Sequence, residues 1–142
     1  KLEFIDSAGA SRLVWRSDDE MTVRFVVGIH TPIHQPDFKL SFEKIDGNIL
    51  LENWARKDGL SLDSIEGQCA FAIDLGKLDF GQDIYEVQLA LYGDQAAGTR
   101  ELLASYCEVI KVEKPIDCLD SPAYFCPVAI RAEKLSINSG EL

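Results

Sequence analysis

The chain has 142 residues, 46% of them apolar and 27% charged, which is the make-up of one folded domain rather than of a disordered tail. Twenty-four Asp and Glu against 14 Lys and Arg leave a formal net charge of -10, and no Lys/Arg cluster interrupts it, which argues against nucleic acid or an anionic lipid surface as a partner. No stretch approaches the ~20 apolar residues of a membrane-spanning helix, so direct membrane insertion is not expected.

At the front, KLEFID reads as a strand running into the Gly-containing loop SAGAS, and LVW as a short strand before the acidic turn RSDDE. This end has no apolar signal-type segment and no initiating Met. Residues 1–142 are therefore read as a single domain taken from a longer soluble protein. In EMTVRFVVGI the residues Met21, Val23, Phe25, Val27 and Ile29 share one face, and Thr22, Arg24, Val26 and Gly28 the other, the alternation of a half-buried strand. His30 and His34 follow in IHTPIHQPD. Pro32 and Pro36 rule out the helix that would align the two imidazoles on a metal, so the segment is expected to be a polar loop.

FKLSFEKI repeats the alternation with Phe38, Leu40 and Phe42 inward and Lys39, Ser41 and Glu43 outward. Then DGN supplies a hairpin turn and NILLENWA returns as the partner. GQCAFAIDL and IYEVQLALYG read as two further strands joined by GKLDFGQD. In the second, Tyr85, Val87, Leu89 and Leu91 alternate against Glu86, Gln88, Ala90 and Tyr92. TRELLASY has a short helical reading, YCEVIKVE is a strand, PVAIRAEKL is a strand or the start of a helix, and SINSGEL is expected to fray. About eight short strands with a turn signal every ten residues or so predict an all-β sandwich, with Phe25, Phe42, Phe71, Val87 and Leu89 between its sheets.

The four cysteines allow three disulfide pairings in a secreted protein, and Cys118 and Cys126, which bracket a Pro-containing turn, would bridge only in an oxidising compartment. Four reduced thiols are expected, with Cys69 and Cys107 acting as small hydrophobes in strands. No G-x-S-x-G elbow, protease-type cysteine or phosphate-binding loop is present. The acidic groups Asp18, Asp19, Glu20 and Asp63, Glu66, Asp79 read as turn formers and solvated charge. What remains is a set of outward rings and amides on strands. Trp54 stands beside Glu52, and Tyr92 near Gln88. A ring that covers the C–H face of a sugar, with carboxylate and amide groups for its hydroxyls, suits a carbohydrate.

The order of these signals, from LEFIDSAG and LVWRSDDEMTVRFVV through PDFKLSFEKIDGNIL and GLSLDSIEGQCAFAIDLGKLDFGQDIYEVQLALY to CEVIKV, resembles the C-terminal domain of Wzt-type ATPases. Those proteins are the nucleotide-binding subunits of ABC transporters that export O-antigen polysaccharide. The resemblance covers nearly all of residues 2 to 113. It departs from the family pattern in GQDIYEV, where Asp83 and Ile84 stand between the glycine and the tyrosine, and in the segment holding Cys118, Pro122 and Cys126. It implies an immunoglobulin-like antiparallel β-sandwich, dimeric and cytoplasmic. Such a domain binds the finished polysaccharide without catalysis or cofactor, and reaches the transmembrane subunit at the inner membrane through the parent protein.

Strand facing, rather than the family, selects the candidate ligand contacts: Arg24, Ser41, Glu43, Gln88 and Tyr92, with Trp54 and Glu52 as a second group. Two rival readings are a purely oligomerising sandwich and a small hydrolase using a pair such as Asp63 and Glu66.

Overall fold

The computed structural model describes residues 1–94, 100–113 and 129–137, the last as the course of a strand. Nine strands occupy these residues: β1 (Leu2–Ile5), β2 (Val14–Arg16), β3 (Glu20–His34), β4 (Asp37–Lys44), β5 (Ile49–Trp54), β6 (Ser64–Lys77), β7 (Asp83–Asp94), β8 (Arg100–Glu113) and β9 (Ala129–Ile137). They form a four-stranded sheet in the order β1-β3-β6-β9 and a five-stranded sheet in the order β2-β8-β7-β4-β5. The pairs are antiparallel except β2 with β8, where Val14, Trp15 and Arg16 run parallel to Lys111, Val112 and Glu113. The all-β sandwich expected from the alternation is the architecture found.

Three local expectations change. TRELLASY is not helical: from Arg100 the chain pairs with β7 along its whole length, so Leu102 lies opposite Tyr92 and Tyr106 opposite Leu89. A segment this short cannot sustain a helix on propensity alone, and an adjacent strand supplies every second backbone partner. The His30 to His34 stretch is strand rather than loop. Its pairing with β6 is interrupted between Ile29 and Ile33, where the register shifts past Pro32. PVAIRAEKL resolves as strand from Ala129 onward. Cys118, Cys126 and all of SINSGEL beyond Ile137 lie outside the described residues. The DGN hairpin forms as expected, with Gly47 at φ 93° in the left-handed region.

The core follows from the inward rows. Phe25 of β3, Phe71 of β6 and Phe38 of β4 meet across the two sheets, with ring centroids 5.0 Å apart for Phe25 and Phe38 and 4.6 Å for Phe38 and Phe71. Phe80 stands between Phe42 and Tyr85 at 5.1 and 5.3 Å. Trp15 closes the end of the core beside β8. It is fully buried, donates Nε1–H to the Arg12 carbonyl at 3.0 Å and lies 4.5 Å beneath the Arg12 guanidinium.

Tyr85 opens β7 with its ring in the core and its hydroxyl donating to the Gly81 carbonyl, four residues back, in the manner of the tyrosine corner of sandwich domains. Burial, helped by the Asp83 carboxylate, pushes this phenol up to about 12. Between pH 10 and 12 the unfolded chain releases the proton while the folded chain keeps it, so the stability owed to Tyr85 falls as pH rises through that range. In urea titrations the wild type is expected to exceed Tyr85→Phe by about 1 kcal/mol at pH 8. That gap should narrow steadily above pH 10, and a constant gap would show that the hydroxyl titrates alike in both states.

Candidate functional site

The outer face of the five-stranded sheet is where alternation leaves polar and aromatic side chains together. The register sets them in ranks across the strands. Trp54, Lys39, Ala90 and Ser105 form one rank, and Glu52, Ser41, Gln88 and Cys107 the next. Beyond it stand Glu43, Glu86 and Val109, and at the opposite end Asp37 and Tyr92 lie across from each other. Alternate residues of a strand are ~6.7 Å apart and strands ~4.8 Å apart, so this is a flat platform rather than a cleft.

Six of the seven contacts read from strand facing are therefore on one surface: Ser41, Glu43, Glu52, Trp54, Gln88 and Tyr92. Arg24 is not. It is exposed on β3 opposite Glu3 and Ala72, in the four-stranded sheet, and faces away from the core on the other side of the sandwich. Alternation gives inward or outward but not which of two sheets. Ser41 is outward but only 5% exposed, so it is part of the floor rather than a projecting group.

The aromatic end is ordered by contacts. The Trp54 and Tyr92 rings are 5.1 Å apart, and Trp54 Nε1–H donates to Glu52 Oε1 at 3.2 Å. The Lys39 ammonium stands 5.5 Å from the Trp54 centroid and 5.9 Å from that of Tyr92, and the Arg100 guanidinium is 5.9 Å from Trp54. Beneath them Asp37 is 2% exposed. Its Oδ1 accepts from the Phe38 and Arg56 backbone N–H groups at 2.9 Å, and its Oδ2 from Arg100 at 2.7 Å. Ala90, between Lys39 and Ser105 in the same rank, is 7% exposed and, like Ser41, belongs to the floor.

The other end is acidic. Glu43 and Glu86 are directly opposite each other, an arrangement that costs stability in a sheet unless something else is gained. Gln88 Nε2–H donates to Glu86 Oε1 at 2.9 Å, and this bond, with a second from Cys107, holds the Glu86 carboxyl below its usual range. Partial desolvation, the bond to Glu86 and the neighbouring carboxylates push the Cys107 thiol up to about 11. Cys107 is exposed rather than a small hydrophobe of the core, and at neutral pH it is a thiol, poorly suited to nucleophilic attack. Cys69 is the buried one.

Lys39, Asp37, Arg100 and Glu86 are the members of this face that the sequence reading did not select. Lys39 shares the outward row of Ser41 and Glu43, so the signal was present. Arg100 fell in the segment read as helical, which hid its facing. Of the acidic groups, Asp19 bonds the Arg12 side chain and the Arg16 backbone N–H at 2.9 Å and holds a turn, while Asp63 and Glu66 are both exposed. Among the described residues no three His, Cys, Asp or Glu side chains gather to hold a metal ion, and no helix is long and apolar enough to cross a membrane.

No family model and no curated protein matches the sequence. Among solved structures, a crystal structure of the C-terminal domain of Wzt is similar, with a TM-score of 0.69 at 10% sequence identity, over 84% of this chain and 73% of that one. At that identity the likeness establishes the fold, and the fold is the one that the sequence resemblance implies. What the surface does has to be argued from its own groups.

Proposed function

We propose that this chain is a single non-catalytic carbohydrate-binding domain that holds a bacterial surface polysaccharide of O-antigen type on the outer face of its five-stranded sheet. The observation that carries the reading is the Trp54–Tyr92 ring pair, flanked by Glu52, Gln88, Glu43 and the floor residue Ser41 on one flat surface. Rings cover the C–H faces of sugar units and the amide and carboxylates take their hydroxyls. A platform long enough for a few sugar units suits a polymer better than a small metabolite. The sequence resemblance and the shared fold support a place in a longer protein, the ATPase of an ABC transporter. There the domain acts on the cytoplasmic side, next to the transmembrane subunit, and couples glycan recognition to export.

A shallow site with few hydrogen bonds and two rings is expected to bind weakly, with Kd on the order of 10 µM to 1 mM, or about 4 to 7 kcal/mol. Weak binding fits a substrate that must be released. The test is titration with the surface glycan of the source bacterium, followed by amide chemical shifts. Trp54→Ala and Tyr92→Ala are each expected to weaken binding about tenfold or more, with the melting temperature nearly unchanged, because both rings face outward. No shift at millimolar glycan would sink the reading.

A second copy of the chain is the proposed protein partner. Along β8 every residue from Arg100 to Cys107 is exposed, Leu102, Leu103 and Tyr106 among them, and Val109 is exposed beyond them. Among the described residues, the strand edge away from β7 is paired only from Lys111 onward, to β2. An unpaired edge with exposed apolar side chains on both faces is a template for antiparallel pairing with itself across a two-fold axis. Light scattering is expected to give a dimer that Tyr106→Lys dissociates. A monomer at every concentration would remove this element, and a dimer indifferent to all glycans would favour the purely oligomerising reading.

A further inference from the structure

We propose that the Trp54 end of the sheet face is built for a sugar unit carrying a carboxylate, so that the domain prefers hexuronate-containing glycans to neutral ones. This rests on the glycan-binding reading and adds the chemical class of the ligand. The chain as a whole carries a formal charge of -10, yet this end gathers Lys39 and Arg100 over the two rings. Two of the carboxylates there are engaged: Asp37 is buried under its bonds to Arg100, Arg56 and Phe38, and Glu52 accepts from the Trp54 indole, while Asp94 is exposed at the end of β7 opposite Arg100. Lys39 makes no ion pair among the described residues. Lys39 is half-buried and its ammonium faces two aromatic rings, where a ligand that displaces water from the rings would strip its hydration as well.

A hexuronate relieves that cost. Its C–H face lies on the rings while the carboxylate, at the rim of the sugar, replaces the water on Lys39. The far end of the face, at Glu43 and Glu86, repels an anion, and the two ends are four residues apart on β4, about 13 Å. The face is thus polarised, and an acidic unit is placed at Trp54 with uncharged units running toward Gln88. One unpaired ammonium matches one negative charge. A phosphate monoester, closer to two charges at neutral pH, sets its second charge against Glu52 and an acidic chain.

The experiment titrates the whole domain with oligosaccharides that carry a single hexuronate, an aldotetraouronic acid (one glucuronate on xylotriose) and cellobiouronate, each beside its carboxyl-reduced neutral form, and with galactose 6-phosphate, at 50 and 500 mM NaCl. The expected result is about tenfold tighter binding of at least one acid form over its reduced form at 50 mM, falling to about twofold at 500 mM as screening shortens. Lys39→Gln should bring that ratio close to one, whereas Lys77→Gln, which removes the same charge from the four-stranded sheet, should leave it. Melting curves establish that both variants are folded. Equal or tighter binding of the reduced forms, tighter binding of the phosphate, or a ratio indifferent to Lys39→Gln overturns the proposal while glycan binding itself stands. No shift with any of these probes overturns the proposal, and the surface glycan then decides whether the broader reading falls with it.

Discussion

Replacement of Phe38 by alanine is expected to destabilise the fold by about 3 to 5 kcal/mol and to lower the melting temperature by about 10 to 20 °C. Phe38 is 1% exposed and is the β4 member of the ring cluster that joins the two sheets, 5.0 Å from Phe25 and 4.6 Å from Phe71. Truncation loses the transfer free energy of the ring and leaves a cavity between sheets that cannot collapse without sliding paired strands. Edge-to-face contacts add about 0.5 to 1.5 kcal/mol that a smaller apolar side chain does not restore, so Phe38→Leu should recover only part of the loss. Phe38 also sits in sequence between Asp37 and Lys39, both on the opposite face of the same strand. The cavity lies under the aromatic end of the platform, and Phe38→Ala should blunt glycan binding as well as stability. Urea denaturation with an unchanged m-value is the measurement. A loss below about 1 kcal/mol would show that the sheets are not packed through this cluster.

The contrast between Phe38 and its neighbours shows what alternation could and could not tell. In β4 and β7 the period of two placed Phe38, Leu40, Phe42, Tyr85, Val87, Leu89 and Leu91 toward the core and Lys39, Ser41, Glu43, Glu86, Gln88, Ala90 and Tyr92 on the opposite face, because only one face of each strand packs against the other sheet. The same rule failed to place Arg24, which is outward but in the other sheet. Which strands pair depends on long-range contacts that no local pattern contains. It also failed for residues 100 to 106. Arg100 to Cys107 are exposed on both faces, so no buried row imposed an alternation to read, and a weak helical preference filled the gap. The cationic end of the platform was missed for the same reason. Arg56 and Arg100 are far from Asp37 and Lys39 in sequence and are brought to them only by the β4–β5, β4–β7 and β7–β8 pairing, while a search for consecutive basic residues finds nothing.

Asp37 is where fold and platform are tied together, and substitutions there should separate its two roles. Its buried carboxylate takes the Arg56 backbone N–H through Oδ1 and the Arg100 guanidinium through Oδ2. The Arg56 side chain in turn donates Nε–H to the Pro36 carbonyl at 2.8 Å and also bonds the Leu62 carbonyl, so the chain after β5 is strapped to the start of β4. Asp37→Ala leaves the Arg56 N–H without its acceptor and frees Arg100, and is expected to cost about 2 to 4 kcal/mol, since a stranded donor alone costs about 1 to 3. Asp37→Asn keeps an acceptor for the backbone but gives up the charge that holds Arg100. Its stability cost should be near 1 kcal/mol, because Arg100 is partly solvated and its pairing is weakened by water and salt. Glycan binding should respond in the other proportion. Once Arg100 is loose in both variants, the guanidinium no longer stays beside Trp54, and both should weaken binding by a similar factor of about three to ten. Equal stability losses in Asp37→Ala and Asp37→Asn would mean that the ion pair, not the strap, carries the effect. Unchanged binding in Asp37→Asn would remove Arg100 from the platform and leave Trp54, Tyr92 and Lys39 to act without it.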